Sequence, residues 1–213
     1  MSEAYKAAGV DLALGNDLSK MLYEASKQTW QNRIGKYGEI RAPHDSFSGT
    51  RSWGLEPLLE VPEPSKIEFD QDADGIGTKV EVSQRVGTYN TAAYDLFAMT
   101  CDDPAARGFE PVIVTTVFDV NKLKEHMRPS MLQLAAGMVE AAQLSGVAVK
   151  GGEAAEIGKC VGGYGNPARV LQYNWSATVH AAAHRDRVLT GHEVRPGDSL
   201  VALRETGFRS NGL

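Results

Sequence analysis

An acidic stretch followed by a turn rich in glycine is the part of this sequence best suited to chemistry. Four carboxylates occupy alternate positions of a predicted strand over residues 65–74: Glu68, Asp70, Asp72 and Asp74. Alternate side chains of a strand point to the same face, and carboxylates gathered there repel one another unless cations or protons balance them. Mg²⁺ takes such oxygen ligands, often together with substrate phosphates. The alternative is a solvated edge strand whose charges prevent association with other strands.

The turn itself reads Asp74-Gly75-Ile76-Gly77-Thr78-Lys79. Its two glycines would let backbone N–H groups approach phosphate oxygens, and Lys79 adds a cation beside them. The chain contains no G-x-x-x-x-G-K-[ST] run, so this is not a P-loop. The spacing predicts a phosphate-binding turn, with an ordinary glycine turn as the alternative.

Further carboxylates lie on a predicted helix that runs from Asn90 to about Cys101. Asp95 and Asp102 are seven positions apart and so share a helix face, and Asp103 follows directly. Pro104 is expected to end or kink this helix, which would place the last two carboxylates near the unfavourable negative end of the helix dipole. A metal ion would balance them; exposed charge at a helix end is the alternative.

A third motif, Gly151-Gly152-Glu153, follows a short buried strand predicted over residues 147–150. Glycines there would let a ligand approach the backbone, and Glu153 would reach over the end of the sheet. The glycine-rich stretch over residues 159–165 reads as a flexible lid or as an ordinary loop. Two histidines on one strand, His180 and His184, lack a third metal ligand, and the carboxylates beside Cys101 disfavour its thiolate.

The elements that must position these motifs alternate along the chain. A helix capped by Asn16 and ending near Arg33 precedes an irregular segment over residues 35–64, so residues 1–64 are predicted to form an arm before an α+β domain over residues 65–213. The domain is predicted to be a mixed sheet with helices on one face. Its predicted strands cover residues 66–73, 111–120, 147–150, 170–184 and 198–204, and its predicted helices cover 90–101 and 129–144.

Composition narrows the functional classes. The 213 residues carry 22 basic and 27 acidic side chains, and the net charge of −5 disfavours nucleic acid as a partner. The two cysteines have no C-x-x-C spacing, which argues against a disulfide framework or a structural zinc site. The sequence shows neither a signal peptide nor an apolar run of the ~20 residues that would span a bilayer. A cytoplasmic protein without a membrane partner is therefore expected.

The order of the motifs resembles that of the aminoimidazole ribonucleotide synthetases, the phosphoribosylformylglycinamidine cyclo-ligases of purine biosynthesis. The resemblance rests on D-G-I-G-T-K (74–79), D-L-F-A-M-T-C-D-D (95–103), G-F-E-P (108–111), G-G-E-A-A-E (151–156) and G-F-R-S-N-G (207–212), with an opening Y-K-A-A-G-V-D (5–11). The wider superfamily includes formylglycinamide ribonucleotide amidotransferase, selenophosphate synthetase, thiamine monophosphate kinase and a hydrogenase maturation protein. Selenophosphate synthetase is disfavoured because residues 1–64 contain no cysteine.

The resemblance implies an ATP-binding N-terminal domain that dimerises through its sheet, with the family's C-terminal domain absent from this chain. Because the chain stops directly after a turn, we expect a fragment of a longer protein. In the family, ATP phosphorylates the amide oxygen of formylglycinamidine ribonucleotide, and an internal nitrogen then closes the imidazole ring. The resemblance assigns catalysis to Lys79 and Asp74, and Mg²⁺ to Asp74, Asp103 and Glu153. It assigns ATP to Gly75, Gly77, Thr78, Lys79, Asp95, Asp102, Gly152, Glu153 and Asn211.

Three departures leave the acceptor substrate open. Residues 45–53, Asp-Ser-Phe-Ser-Gly-Thr-Arg-Ser-Trp, replace the family's glycine-rich substrate stretch; Asp102-Asp103-Pro104 replaces Asn-Asp-Leu; and Ala154 replaces a threonine. Two alternatives to the cyclo-ligase therefore remain. One is a dimerising nucleotide-binding module without turnover. The other is a relative that acts on another acceptor, resembling formylglycinamide ribonucleotide amidotransferase or thiamine monophosphate kinase.

Overall fold

A four-stranded sheet carries the candidate motifs in the computed structural model, which describes residues 12–44 and 46–211. Its strands are β1 (Ile67–Gly75), β2 (Glu110–Val120), β3 (Ala148–Glu156) and β4 (Tyr173–His184). The strand order is β1-β4-β2-β3, in which β2 and β3 are parallel and the other pairs are antiparallel. The predicted mixed sheet is confirmed, and β1 and β3 form its two edges.

Three long helices cover one face of this sheet. The long helices are α1 (Leu12–Thr29), α4 (Ala92–Ala106) and α5 (Arg128–Ser145), and the shorter ones are α2 (Glu56–Leu59) and α3 (Lys79–Val86). Alternate residues of β4, including Tyr173, Trp175 and Val179, are fully buried in a core shared with α1, α4 and α5. The α+β class with helices on one face is therefore confirmed. In the described part of the chain, no helix combines the length and apolarity needed to cross a membrane.

The first helix belongs to the core. Leu14 and Leu18 are buried in it, and the Thr29 hydroxyl and the Trp30 indole hydrogen-bond to the backbone of Val149 at 2.7 and 2.8 Å. The predicted boundary at residue 64 therefore does not separate α1 from the domain. The predicted cap at Asn16 is wrong, because the helix already includes Leu12 and Asn16 lies inside it.

The segment between α1 and β1 crosses the opposite face of the sheet. Tyr37, Trp53 and Leu58 pack there against a small apolar cluster that includes Val112 and Ala182. Apart from α2, short 3-10 helices at Trp30–Arg33 and Pro64–Lys66 and an isolated bridge between residues 41 and 52, the described residues of this segment lack regular structure, as the sequence predicts. The segment covers only part of the face, and β1 leaves Phe69 50% exposed there while β2 leaves Val117 43% exposed.

Several element predictions differ from the structure. The strand predicted over residues 198–204 is wrong, because that stretch is exposed and irregular. Helix α3 was not predicted, because its valines are β-branched residues that favour a strand. Gly87, in a left-handed conformation, ends this helix. The third strand continues to Glu156, so the G-G-E motif lies within β3. Helix α4 passes through Pro104, which was expected to end or kink it, and ends at Ala106.

A substitution at Gly137 would test how closely α5 packs against the segment before α4. A Cβ added to Gly137 would lie 1.9 Å from the Asn90 carbonyl oxygen. Because backbone must move to relieve this clash, we expect Gly137→Ala to reduce the free energy of unfolding by about 1–3 kcal/mol. Gly15→Ala is the matched control, because its Cβ meets nothing within 4 Å inside α1 and should stabilise the protein by about 0.5–1 kcal/mol. Urea unfolding measures both, and equal effects would contradict this account.

Candidate nucleotide and metal site

The motif over residues 74–79 joins the end of a strand, a glycine turn and the start of a helix. Asp74 and Gly75 end β1, and the Asp74 carboxylate accepts a hydrogen bond of 2.7 Å from the Gly75 N–H. Gly77 has φ = 66°, a left-handed conformation that favours glycine, and Thr78 directly precedes α3. Lys79 is the first residue of α3. The motif therefore presents backbone N–H groups and a cation at a helix N-terminus, an arrangement that suits a phosphate.

Lys79 is only 7% exposed, and its ammonium donates a hydrogen bond to the Ser210 carbonyl. The neighbouring Arg209 places a guanidinium nitrogen 3.9 Å from a carboxylate oxygen of Asp102. The stretch that ends at Asn211 therefore lies against both α3 and α4. Neighbouring residues of this stretch thus bind two of the sequence-predicted residues, Lys79 and Asp102, and a third, Asn211, follows Ser210 directly.

The acidic residues of β1 share a face, as the alternation predicts. Asp70 and Asp72 both bind Arg107 at 3.1 and 2.8 Å, and Arg107 lies 3.8 Å from the carboxylate of Asp103. This pairing raises the pKa of Arg107, with the Asp70 hydrogen bond as the main cause. Sequence reasoning missed Arg107, although its position four residues after Asp103 was a usable signal. Within the described residues, Asp74 has no ion-pair partner, so its charge remains available to a cation.

Glu153 does not join Asp74 within one chain. It lies on β3, and β4 and β2 separate that strand from β1. Three spacings between neighbouring strands amount to about 14 Å, which is too far for one ion to bind both carboxylates. Asp74 and Glu153 of the same chain therefore cannot bind one Mg²⁺ ion, and the assignment of Mg²⁺ to Asp74, Asp103 and Glu153 stays a prediction. Gly152 shares this edge, where a Cβ would lie 1.9 Å from the Thr116 carbonyl oxygen.

Asp95 lies on α4 two turns before Asp102 and faces the interior beside β4. Burial raises the pKa of Tyr173, and the negative charge of Asp95 adds to the shift. The Tyr173 hydroxyl donates to the Ser83 hydroxyl of α3 at 3.3 Å. Asp95 therefore lies near the contact between β4 and α3.

The glycine-rich stretch over residues 159–165 is tied to the fold. The Gln172 amide donates to the carbonyl oxygens of Gly163 and Gly165 at 3.1 and 2.9 Å, and the Tyr164 N–H donates to Gln84 of α3 at 2.7 Å. The Arg85 guanidinium lies 4.3 Å from the centre of the Tyr164 ring. These contacts favour the interpretation as an ordinary loop over the flexible lid.

The remaining reactive side chains play structural parts. Burial, with a smaller contribution from Asp102, raises the pKa of Cys101 to about 12, so its thiol stays protonated as expected. His180 hydrogen-bonds to the Tyr37 hydroxyl at 2.7 Å, and burial lowers its pKa. His184 lies near Glu63 and Asp186, but Lys66 already binds both of those carboxylates at 2.9 and 3.4 Å. These groups therefore add nothing to the site beside Asp74.

Comparison with known proteins places these motifs in a family. The sequence model described as "AIR synthase related protein, N-terminal domain" matches residues 63–169, which include the turn after β1, α4 and the G-G-E strand. The chain belongs to this family. The AIR synthase related match therefore confirms the resemblance that the motifs indicate.

Curated relatives of this AIR synthase related chain carry the name phosphoribosylformylglycinamidine cyclo-ligase. The protein from Pyrococcus furiosus is 30% identical over 98% of this chain and 55% of its own length. The protein from Thermococcus kodakarensis is 28% identical over 98% of this chain and 56% of its own length. The chain thus spans about half the length of the curated relatives it matches. The hydrogenase maturation protein HypE from Escherichia coli superposes with a TM-score of 0.54 at 13% identity, covering 85% of this chain and 47% of HypE, and shares the fold.

Proposed function

We propose that this chain is the nucleotide-binding half of an ATP-dependent cyclo-ligase that acts in the cytoplasm on formylglycinamidine ribonucleotide. The observation that carries the proposal is the continuous motif in which Asp74 ends β1, a glycine turn follows and the buried Lys79 begins α3, with its ammonium bound to the Ser210 carbonyl. A helix N-terminus, a buried ammonium and a free carboxylate together suit a polyphosphate and its metal ion. The names of the curated relatives supply the reaction class.

Each residue has a role that follows from its position. The Lys79 ammonium would bind the transferring phosphate in exchange for the Ser210 carbonyl, and the backbone from Gly75 to Thr78 would line its other side. Asp74 offers the oxygen ligand that a hard cation prefers. Mg²⁺ would supply charge neutralisation when bound. Because phosphoryl transfer needs little covalent chemistry from the protein, this site would work by positioning and electrostatic stabilisation.

A second copy of the chain would complete the site. The edges β1 and β3 carry Asp74 and Glu153 respectively, and both strands have nine residues. The face that these edges flank exposes Phe69 and Val117, which a monomer would leave in water. If β1 of one copy pairs with β3 of another, the sheets close, no edge remains and Glu153 of one chain approaches Asp74 of the other. This geometry supports the proposed homodimer through the sheet.

A nucleotide-binding dimer without turnover is the second candidate function. The departure at residues 45–53 favours it, because Arg51 and Trp53 stand where the family's glycine-rich substrate stretch was expected. Both candidates bind ATP, and only the cyclo-ligase releases phosphate from ATP in the presence of formylglycinamidine ribonucleotide. A phosphate-release assay on the full-length protein therefore separates them.

The ATP site is tested by calorimetric titration with and without EDTA. We expect binding of ATP to require Mg²⁺, because Asp74 would otherwise repel the phosphates, and we expect Asp74→Asn to weaken binding of the magnesium complex at least about tenfold. Asp198→Asn is the matched control, since its exposed carboxylate accepts the Arg195 N–H and lies outside the turn after β1. Equal affinity with and without the metal would overturn the proposed site.

A further inference from the structure

A cationic cavity lies between the irregular segment and the start of β3, on the edge of the sheet opposite Asp74. It has a volume of about 310 Å³, and Arg51 and Lys150 both line it. Thr50 and Thr115 add hydroxyl groups, and Gly151 adds backbone. The two cations come from elements separated by about a hundred residues of sequence, so the fold and not local sequence brings them together.

Arg51 is held in a fixed position with most of its donors unused. One guanidinium nitrogen donates to the Phe47 carbonyl at 3.1 Å, and the group lies 5.2 Å from the centre of the Tyr23 ring. It rests on the backbone of Gly151, where an added Cβ would be 3.5 Å away. Gly151 has φ = 146°, a conformation that a side chain would strain. A guanidinium carries five N–H donors, and the described residues accept one of them, which leaves four for a ligand.

Lys150 reaches the same cavity from β3, with its ammonium 5.3 Å from the centre of the Trp53 ring. In the described ranges, neither Lys150 nor Arg51 has a carboxylate partner, whereas Arg41, Arg107 and Arg128 each bind at least one. Two half-buried cations that share one cavity repel each other and lose hydration. Glu153 lies two residues beyond Gly151 and lines the adjoining larger cavity. An anion between the two cations would relieve this cost.

We propose that Arg51 and Lys150 bind the phosphate monoester of the acceptor substrate. A planar guanidinium, a compact ammonium and two hydroxyls line one cavity, and this set of donors suits the several oxygens of a phosphate. The adjoining cavity shares Arg51 and Gly151 and has a volume of about 680 Å³, which is within the range for sites of small ligands. The argument for a phosphate site depends only on the residues that line the cavity. The assignment of that phosphate to the acceptor substrate rests on the proposed function.

Ribose 5-phosphate and inorganic phosphate are the probes, and calorimetry on the chain at low ionic strength is the measurement. We expect Arg51→Gln and Lys150→Met each to weaken binding of ribose 5-phosphate at least about tenfold, since each removes a charge-assisted contact. Ribose lacking phosphate should not compete. Lys36→Met is the matched control, because this exposed lysine lines none of the three cavities and should leave binding unchanged. Urea unfolding establishes that each variant is folded.

Three results would overturn the proposal. The first is a wild-type chain that binds neither probe at millimolar concentration, and the second is a pair of variants that bind the probes as the wild type does. The third is an Arg51→Gln variant whose affinity for ATP falls as much as its affinity for ribose 5-phosphate, which would assign the cavity to the nucleotide. Failure of the proposed ATP site would be recognised separately. A wild-type chain that does not bind ATP but still binds ribose 5-phosphate would contradict the ATP site and leave the phosphate site standing.

Discussion

Replacing Lys79 by methionine should weaken the binding of the magnesium complex of ATP by about 10- to 100-fold, because a hydrogen bond to a charged group is worth about 1.5–3 kcal/mol. The ammonium is nearly buried at the N-terminus of α3, so water cannot replace it. Methionine keeps most of the length and apolar volume of the side chain, and the change therefore removes mainly the charge. Calorimetric titration of ATP measures the effect.

The competing interpretation is that Lys79 is structural and serves only to hold the Ser210 carbonyl. The two interpretations separate when stability is measured with affinity, because a structural lysine would lower the free energy of unfolding and leave ATP affinity unchanged in the folded protein. Lys66→Met is the matched control at the other end of β1, where an exposed ammonium binds Glu63 and Asp186. Its ion pairs are worth about 0–1 kcal/mol, and ATP binding should not change.

Much of the fold could be predicted because its signals are local. The alternation in β4 and the apolar periodicity of α5, which a left-handed Gly146 ends, depend only on neighbouring residues. The helix α3 escaped prediction because its Val80, Val82 and Val86 favour a strand in isolation, while the fold and an Arg85–Glu81 pair favour the helix. Residues 198–204 alternate like a strand, but no neighbouring strand pairs with them in the described part of the chain.

The candidate site could be predicted only where its parts are close in sequence. The motif from Asp74 to Lys79 is one continuous turn, and its glycines report its shape directly. Strand order is a long-range property, so the sequence could not show that Glu153 lies on the opposite edge from Asp74. The pairing of Arg107 with Asp70 and Asp72 and the approach of Ser210 to Lys79 likewise depend on tertiary contacts. The spacing of residues along the chain therefore indicated which residues suit a site, but it could not show which of them lie together in the fold.

The separation of Asp74 and Glu153 leads to a test of the proposed dimer by mixing two inactive variants. If each site takes Asp74 from one copy and Glu153 from the other, Asp74→Asn and Glu153→Gln should each lose binding of the magnesium complex of ATP as homodimers. A hybrid dimer would contain one site with both substitutions and one intact site. An equal mixture that exchanges subunits should therefore recover about a quarter of the wild-type sites.

The mixture is prepared by refolding the two variants together, with different affinity tags that allow the hybrid to be isolated, and the number of ATP sites per dimer is counted by calorimetry. A purified hybrid should show one site of wild-type affinity, because burial of both edges and of Phe69 and Val117 stabilises the pairing that brings the two carboxylates together. A hybrid without such a site would mean that Glu153 acts elsewhere. Light scattering at ~23 kDa for the wild-type chain at micromolar concentration would refute the dimer itself.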